Sequence, residues 1–288
     1  MNAHPGLAKR YARLGDVRLA YIDEGKGTPI LLLHGCPFAS FVWDKVIRLL
    51  APMYRCLAPD LLGLGDTETP DRADWLLPAQ ARTIVEFLDV LGIEKIHVVG
   101  HDHGGAVAQL LAANHPARVD RLVLANVEAY DNWPSSEERP FVTATQIPLL
   151  GNIVLWLWSR RPILRATLVR AKAVYDPSAL TREFVDALID ANLRDRRRRA
   201  RTRRFLALQF DPRNNRVTNE LVADLRRFDH GTLLIWGKDD PHFGPEWGDR
   251  LQEDIPRTPQ PVLLESTGHL LMEERPQRVA DLIRDFLV

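Results

Sequence analysis

The residues best suited to chemistry lie in the stretch Gly100-His101-Asp102-His103-Gly104. Its spacing is that of a nucleophile elbow, a strained strand-to-helix turn in which glycines relieve crowding and one side chain is raised above a sheet. The raised side chain here is the carboxylate of Asp102. Because a carboxylate is already anionic at neutral pH, it needs no base before it attacks a saturated carbon. The stretch therefore predicts a nucleophile that forms an alkyl ester.

Three other segments carry polar residues directly after short apolar runs. His34-Gly35-Cys36-Pro37 follows one run, Asp239 and Asp240 follow a second run, and His269 follows a third. If these runs are parallel strands of one sheet, their carboxyl ends lie at the edge that also holds the elbow. We therefore expect an acid and a histidine close to Asp102, with backbone N–H groups of the first segment facing it.

The elements that must position these residues alternate between strand and helix. The predicted strands are a hairpin over Arg10 to Asp23 and the runs Pro29 to Leu33, Arg55 to Ala58, Ile96 to Val99, Val119 to Ala125, Thr232 to Trp236 and Val262 to Leu264. The predicted helices include Ser40 to Leu50 with Ser40 as N-cap, Trp75 to Leu91 closing at Gly92, and Pro276 to Leu287. This alternation predicts an α/β fold, a mostly parallel central sheet flanked by helices.

The alternation stops in the middle of the chain. We predict an inserted helical cap at residues 128–222, between two core segments at residues 1–127 and 223–288. The apolar run Leu149 to Trp158 is too short to span a bilayer, so we expect it to cover the site. The side chains expected to face a small hydrophobic substrate are Leu149, Ile153, Val154, Leu155 and Trp156.

The composition limits the classes of partner. Thirty-eight Lys and Arg residues balance 38 Asp and Glu residues, so no net charge favours nucleic acid or an anionic membrane. The arginine-rich segment from Arg194 to Arg204 is expected to be a solvated helix face with acidic partners. The two cysteines suit a reducing compartment, and neither an apolar signal core nor a metal-ligand spacing is found. We expect a cytoplasmic monomer or small homo-oligomer without a metal, cofactor, nucleic-acid partner or membrane partner.

Four motifs, taken together, resemble the α/β-hydrolase superfamily. They are HGCP at 34–37, GHDHGG at 100–105, WGKDD at 236–240 and TGH at 267–269. Because its elbow holds an aspartate, the sequence resembles more narrowly the branch that contains epoxide hydrolases and haloalkane dehalogenases. This resemblance implies an α/β-hydrolase fold with a helical cap, and water as co-substrate.

The resemblance also implies a role for each motif residue. Asp102 would be the nucleophile, His269 the base that activates water, and Asp240 the acid that orients the base. The backbone N–H groups of Cys36 and His103 would form the oxyanion hole.

Two other acids compete with Asp240 for the orienting role. Asp239 is adjacent but falls one residue short of the family's W-G-x-x-D spacing. Glu128 follows the strand that ends near Ala125, where some haloalkane dehalogenases place their acid. Glu128 is also interpretable as a polar residue at the hinge of the insertion.

The leaving group is the least defined part of the prediction. Haloalkane dehalogenases hold halide at positions that here read His103 and Cys36, while epoxide hydrolases protonate the ring oxygen from cap tyrosines. Tyr130 and Tyr175 are the tyrosines of this insertion. We therefore take epoxide opening as the first expectation and dehalogenation as the second. A non-catalytic small-molecule receptor on the same fold is the alternative from another class.

Overall fold

The computed structural model describes residues 6–288 and centres on an eight-stranded sheet. Its strands are β1 Lys9–Leu14, β2 Val17–Glu24, β3 Thr28–Leu33, β4 Tyr54–Pro59, β5 Ile96–Asp102, β6 Val119–Val127, β7 Thr232–Gly237 and β8 Val262–Leu264. Their order in space is β1-β2-β4-β3-β5-β6-β7-β8. The pairings β1–β2 and β2–β4 are antiparallel and the others are parallel, so the predicted mostly parallel sheet is confirmed.

Helices cover both faces of this sheet. The α-helices of the described chain are α1 Asp44–Leu50, α2 Leu77–Val90, α3 His103–Asn114, α4 Arg139–Gln146, α5 Leu150–Trp158, α6 Arg161–Arg170, α7 Arg182–Asn192, α8 Arg196–Ala207, α9 Pro212–Glu220, α10 Val222–Leu225, α11 Pro245–Asp254, α12 Leu271–Glu274 and α13 Pro276–Leu287. Leu32 and Val99 pack with α1 and α13, while Leu31 and Val98 pack with α2 and α3. Because successive strand residues face opposite sides, both sides need apolar residues, and the central strands are continuous apolar runs.

One of the two predicted helix ends is correct. Gly92 follows α2 with a φ of +66°, the left-handed conformation that favours glycine after a helix. Ser40 is not an N-cap. It is the first residue of a short 3-10 turn before α1, Ala39 occupies the cap position, and Oγ of Ser40 has no hydrogen-bond partner among residues 6–288.

The segment between β6 and β7 is a helical insertion, which we define as the elements α4 to α10 with their connections. No strand is described between Val127 and Thr232. The regular elements there are helices, as the absence of strand-like runs in the sequence predicts. Domain boundaries at residues 128 and 222 stay a prediction. Within residues 6–288, no helix combines the length and apolar character that crossing a membrane requires.

Helix α5 does not face the site with the side chains that we predicted. Leu155 is buried, but Leu149, Ile153 and Trp156 are 78%, 53% and 47% exposed, and Val154 is partly exposed. The prediction was wrong because α5 is apolar around almost its whole circumference. Periodicity alone cannot identify the inner face of such a helix.

The arginine-rich helix α8 is solvated on one side only: Arg196 and Arg197 are exposed, as predicted, but another side faces the chain. Arg198, Arg201 and Arg204 donate hydrogen bonds to backbone carbonyl groups of the loop at residues 65–73. Arg198 also pairs with the carboxylate of Asp66, at 2.7 Å. These guanidinium groups tie the insertion to the loop that follows β4, and they are engaged within the chain.

Candidate active site

The nucleophile elbow lies where β5 runs directly into α3. Asp102 ends the strand with φ +53° and ψ −125°, a conformation that residues with a Cβ rarely adopt. The neighbouring backbone segments approach so closely that two positions have no room for a side chain. A Cβ at Gly100 would lie 2.7 Å from the carbonyl oxygen of Gly104, and a Cβ at Gly104 would lie 2.5 Å from that of His34. The glycines therefore permit the strained turn, as their spacing predicts.

Three side chains from separate loops meet at the carboxyl edge of the sheet. Oδ2 of Asp102 lies 3.0 Å from Nε2 of His269, which follows β8. Nδ1 of His269 lies 2.9 Å from Oδ2 of Asp240, which follows β7. All three residues are buried. The carboxylate of Asp239 instead accepts a hydrogen bond from the backbone N–H of Thr267.

Two backbone amides point at the other oxygen of the nucleophile candidate. The N–H of Cys36, 3.3 Å away, and the N–H of His103 both donate to Oδ1 of Asp102. His34 supports this loop, because Nδ1 of His34 donates to the carbonyl of Gly35 and Nε2 accepts the N–H of Leu61. The two carboxylate oxygens of Asp102 therefore have different surroundings: amides hold Oδ1, and an imidazole faces Oδ2.

The charges at this edge favour an imidazolium between two carboxylates. Burial lowers the pKa of His269, but Asp240 and Asp102 outweigh burial and raise that pKa well above its usual value. Burial raises the pKa of Asp102, yet the hydrogen bond and the charge of His269 hold it below its usual range. Burial also lowers the pKa of His101 to about 3. His101 is therefore neutral, and it adds no charge beside Asp102.

Glu128 contacts His103 and not His269. Oε2 of Glu128 lies 2.7 Å from Nδ1 of His103, and both side chains are buried. Burial raises the pKa of Glu128 to about 7, against the opposing effect of His103. Burial lowers the pKa of His103, but the charge and hydrogen bond of Glu128 outweigh it and raise that pKa. This placement does not fit Glu128 as the acid that orients His269.

A cavity of about 110 Å³ borders Asp102 and His269. Its other walls come from the core loops, from the start of the insertion and from helices α4, α5, α6 and α8. They include Cys36, Pro37, Phe38, Glu128, Glu137, Glu138, Phe141, Val142, Trp158, Thr167, Leu168, Ala171, Ala173, Leu206, Gln209 and His242. The insertion thus roofs the predicted nucleophile, mostly with apolar side chains.

Neither tyrosine of the insertion lines this cavity. The hydroxyl of Tyr130 donates to the carboxylate of Asp254 on α11, and its ring packs on Trp247. The side chain of Tyr175 is 54% exposed at the surface. The expectation that Tyr130 or Tyr175 protonates a leaving group is therefore wrong. His242, two residues after Asp240, lines the cavity, and its ring centroid lies 5.2 Å from that of His269.

Two cavity residues with free donors were not found from the sequence. Nε1 of Trp158 and Nε2 of Gln209 are buried, and they have no hydrogen-bond partner within residues 6–288. Buried polar atoms in folded proteins are almost always paired, so an orphaned donor at a cavity wall marks a place for a polar ligand atom. Trp158 lay within an apolar run, and no motif surrounds Gln209.

Comparison with known proteins identifies the fold and several relatives of the chain. Residues 28–276 match the family model of the alpha/beta hydrolase fold. The chain is 33% identical to haloalkane dehalogenase 2 of Mycobacterium tuberculosis over 92% of this chain and 90% of that protein. It is 27% identical to the cis-3-alkyl-4-alkyloxetan-2-one decarboxylase of Shewanella oneidensis, over 94% and 85%. Among solved structures, the epoxide hydrolase CorEH without ligand has a TM-score of 0.80 and 26% identity, covering 97% of this chain and 98% of that chain.

The family match spans both core segments and the insertion between them, and it includes all four motifs that carry the resemblance. The mostly parallel eight-stranded sheet flanked by helices agrees with it. The chain therefore belongs to the alpha/beta hydrolase fold family, and it is a hydrolase with a haloalkane dehalogenase and an epoxide hydrolase among its relatives.

Proposed function

We propose that this hydrolase displaces a leaving group from a saturated carbon through an ester of Asp102. The observation that carries the proposal is the unequal environment of the two oxygens of Asp102. Two amides hold Oδ1, and Oδ2 faces His269, whose other ring nitrogen bonds to Asp240. An enzyme that used Asp102 only to hold water would not need two amides directed at the carboxylate itself.

In the first step Oδ2 of Asp102 attacks the substrate carbon in line with the leaving group. The new C–O bond forms as the bond to the leaving group breaks, and that group departs with the electron pair. The attacking oxygen is anionic because the pKa of Asp102 lies below its usual range. No proton has to be removed first.

The second step frees the carboxylate. Esterification removes one of the two negative charges beside His269, so the pKa of His269 falls and the imidazole can release its proton and act as base. His269 then takes a proton from water, and the hydroxide attacks Cγ of Asp102. The negative charge that develops on Oδ1 is stabilised by the amides of Cys36 and His103. Collapse of this intermediate returns the proton to the departing alcohol oxygen.

The donors at the cavity favour halide as the leaving group. A halide leaves as an anion and needs only hydrogen-bond donors, which Nε1 of Trp158 and Nε2 of Gln209 supply without losing their protons. An epoxide oxygen needs a proton, and the tyrosines on which that expectation rested lie elsewhere. We therefore place dehalogenation of a small haloalkane first, in line with the similarity to haloalkane dehalogenase 2.

Epoxide opening is the second candidate, and Glu128 is the observation that favours it. Glu128 lines the cavity, and burial raises the pKa of its carboxyl to about 7, so this group can hold a proton near neutral pH. A protonated carboxyl can give its proton to a ring oxygen as the ring opens. The likeness to CorEH agrees with this alternative.

The cavity restricts either substrate to a few carbon atoms. Its volume is about 110 Å³. For comparison, an engineered protein cavity of about 150 Å³ holds benzene. Most of the lining is apolar, so the substrate body is expected to be hydrophobic.

A substrate panel tests the proposal. Bromobutane and epoxybutane are incubated separately with the protein, and bromide and diol are measured, with Asp102→Asn as the inactive control. A dialkyl oxetanone belongs in the panel because of the decarboxylase relative. We expect bromide release that Asp102→Asn abolishes. Diol without bromide supports the second candidate, and binding without any product contradicts both and favours a receptor.

A further inference from the structure

The outward face of α5 is apolar although helices that cover a site usually turn polar residues to water. Leu149 precedes the helix, and Leu150, Ile153, Trp156 and Leu157 follow at three- and four-residue spacings. These five residues are 37% to 78% exposed, and we call them the outer apolar patch. The opposite side of α5 is also apolar, because Leu155 and Trp158 are buried and Trp158 lines the cavity. A helix that is apolar all round is normally covered on every side.

The segment that carries the patch is basic, although Asp186 and Asp190 of α7 lie beside Arg160 and Arg161. Residues 139–175 contain six basic residues and no acidic residue, although the whole chain carries 38 of each charge. The six are Arg139, Arg160, Arg161, Arg165, Arg170 and Lys172. The guanidinium of Arg160 lies 4.3 Å from the ring centroid of Trp156, at the edge of the patch. Arg161 pairs with Asp186, while Arg139, Arg170 and Lys172 are exposed.

We propose that the outer apolar patch docks on the surface of an anionic lipid bilayer. A short helix with Leu, Ile and Trp on its outer side, next to exposed Arg and Lys, fits the interface between lipid headgroups and acyl chains. Trp side chains favour this depth, and basic residues near anionic lipid add attraction that salt screens. The nine residues of α5 are too few to span a bilayer, so the helix lies in the plane of the surface.

The excess of basic residues in the segment argues against a second copy of the chain as the occupant. A two-fold dimer would bring the same patch of each copy together. The basic residues of one copy would then face the basic residues of the other, and Asp186, an acid beside them, is already paired with Arg161. An anionic bilayer supplies the opposite charge, and it also covers apolar residues. The proposal concerns a surface only and does not depend on the ester mechanism.

Vesicle flotation tests the proposal with the full-length protein. Vesicles of phosphatidylcholine with and without phosphatidylglycerol are compared, at low and at high salt. The patch variant is Leu149→Glu with Ile153→Glu, and its matched control is Met53→Glu with Val90→Glu, two exposed apolar residues outside the insertion. The charge variant is Arg170→Gln with Lys172→Gln, matched by Lys26→Gln with Arg278→Gln. Circular dichroism and turnover of a water-soluble substrate verify that each variant is folded.

We expect the wild-type protein to float with anionic vesicles at least about tenfold better than with neutral vesicles, and to be released by salt. The patch variant should lose about tenfold or more of this binding and the charge variant several-fold, while both controls keep it. Absence of flotation by the wild type overturns the proposal, as does equal binding of the patch variant and its control. A wild-type dimer that the patch variant dissociates, without vesicle binding, overturns it in favour of self-association.

Discussion

The predicted catalytic residues at the carboxyl edge of the sheet and the donors of the helical insertion differ in whether their polar atoms have hydrogen-bond partners. At the edge, both oxygens of Asp102 and both ring nitrogens of His269 have hydrogen-bond partners. In the insertion, Nε1 of Trp158 and Nε2 of Gln209 border the same cavity without a partner in the described chain. The hydrogen bonds of Asp102 and His269 at the edge are formed before substrate arrives, whereas the two donors of the insertion gain a partner only when a ligand binds. We infer that the edge determines the reaction and the insertion determines the leaving group.

Replacement of Asp102 should have the largest effect on activity. Asp102→Ala removes the nucleophile and Asp102→Asn keeps its shape without its charge, so both should lower turnover by about 10⁴-fold or more. Initial rates of leaving-group release are measured for both variants, with thermal unfolding as the control for folding. Retention of more than a few per cent of activity by Asp102→Ala contradicts a covalent role for the edge.

His269→Gln should stop the reaction after its first half. Attack by Asp102 needs no base, but hydrolysis of the ester does, so the alkyl group should stay on the protein while turnover falls about 10³- to 10⁴-fold. Intact mass spectrometry after incubation with substrate detects one added alkyl group. His115→Gln, a histidine outside the cavity lining, is the control. A variant that is equally slow but never gains mass would show that His269 acts before the ester forms.

Replacement of Asp240 should lower turnover far more than replacement of Glu128. Asp240→Asn leaves His269 without the carboxylate that fixes its tautomer and supports its charge, so turnover should fall about 10²- to 10⁴-fold. Glu128 bonds to His103 and not to His269, so the effect of Glu128→Gln on haloalkane turnover should be about tenfold or less. Steady-state rates of both variants make the comparison. A larger loss in Glu128→Gln would return Glu128 to the role of orienting acid or proton donor.

Substitutions in the insertion should slow the release of the leaving group more than they slow hydrolysis of the ester at the edge. Trp158→Phe removes the indole N–H and Gln209→Leu removes the amide NH2 group from the cavity, and we expect each to lower the rate of bromide release about 10- to 100-fold. Hydrolysis of an ester already formed on Asp102 should change little. Rapid-quench measurement of the two steps separates them. Equal loss in both steps would remove the distinction between the two regions.

The buried pair of Glu128 and His103 should make stability depend on pH. Glu128 has a folded pKa of about 7 and an unfolded value near 4.5, so the unfolded chain loses this proton first and stability falls as pH rises between these values. The raised pKa of His103 acts in the same direction, because its contribution is present below about 6.5 and is lost as pH rises through the folded pKa. Glu128→Gln should flatten this loss by roughly 1 to 3 kcal/mol between pH 5 and pH 8. Urea unfolding at several pH values measures it, and parallel curves for wild type and variant would contradict the assignment.

The edge could be predicted from the sequence because local patterns define it. Each of its functional candidates directly follows an apolar strand, and parallel strands bring their carboxyl ends together. Glycine spacing marks the elbow at Asp102. The sequence left three candidates for the acid beside His269, namely Asp240, Asp239 and Glu128. Which of them reaches His269 depends on the conformation of the loops, which no local pattern defines.

The insertion could not be predicted to the same degree because its helices carry no motif. Tyr130 follows β6 closely in sequence, yet its side chain turns to Asp254 on α11. The run that contains Ile153 and Trp158 is apolar on both sides, so only the packed structure separates the outward residue from the cavity residue. The sequence predicted that the insertion is helical, but the direction of each side chain depends on contacts with residues distant in sequence.

A single turnover in water enriched in oxygen-18, with protein in excess over bromobutane, tests the covalent role of Asp102 most directly. Water attacks Cγ of the ester, so the oxygen that leaves with the alcohol comes from the aspartate. The account predicts ordinary oxygen in the first alcohol and oxygen-18 in the peptide that contains Asp102. Oxygen-18 in the first alcohol with an unlabelled peptide would contradict it.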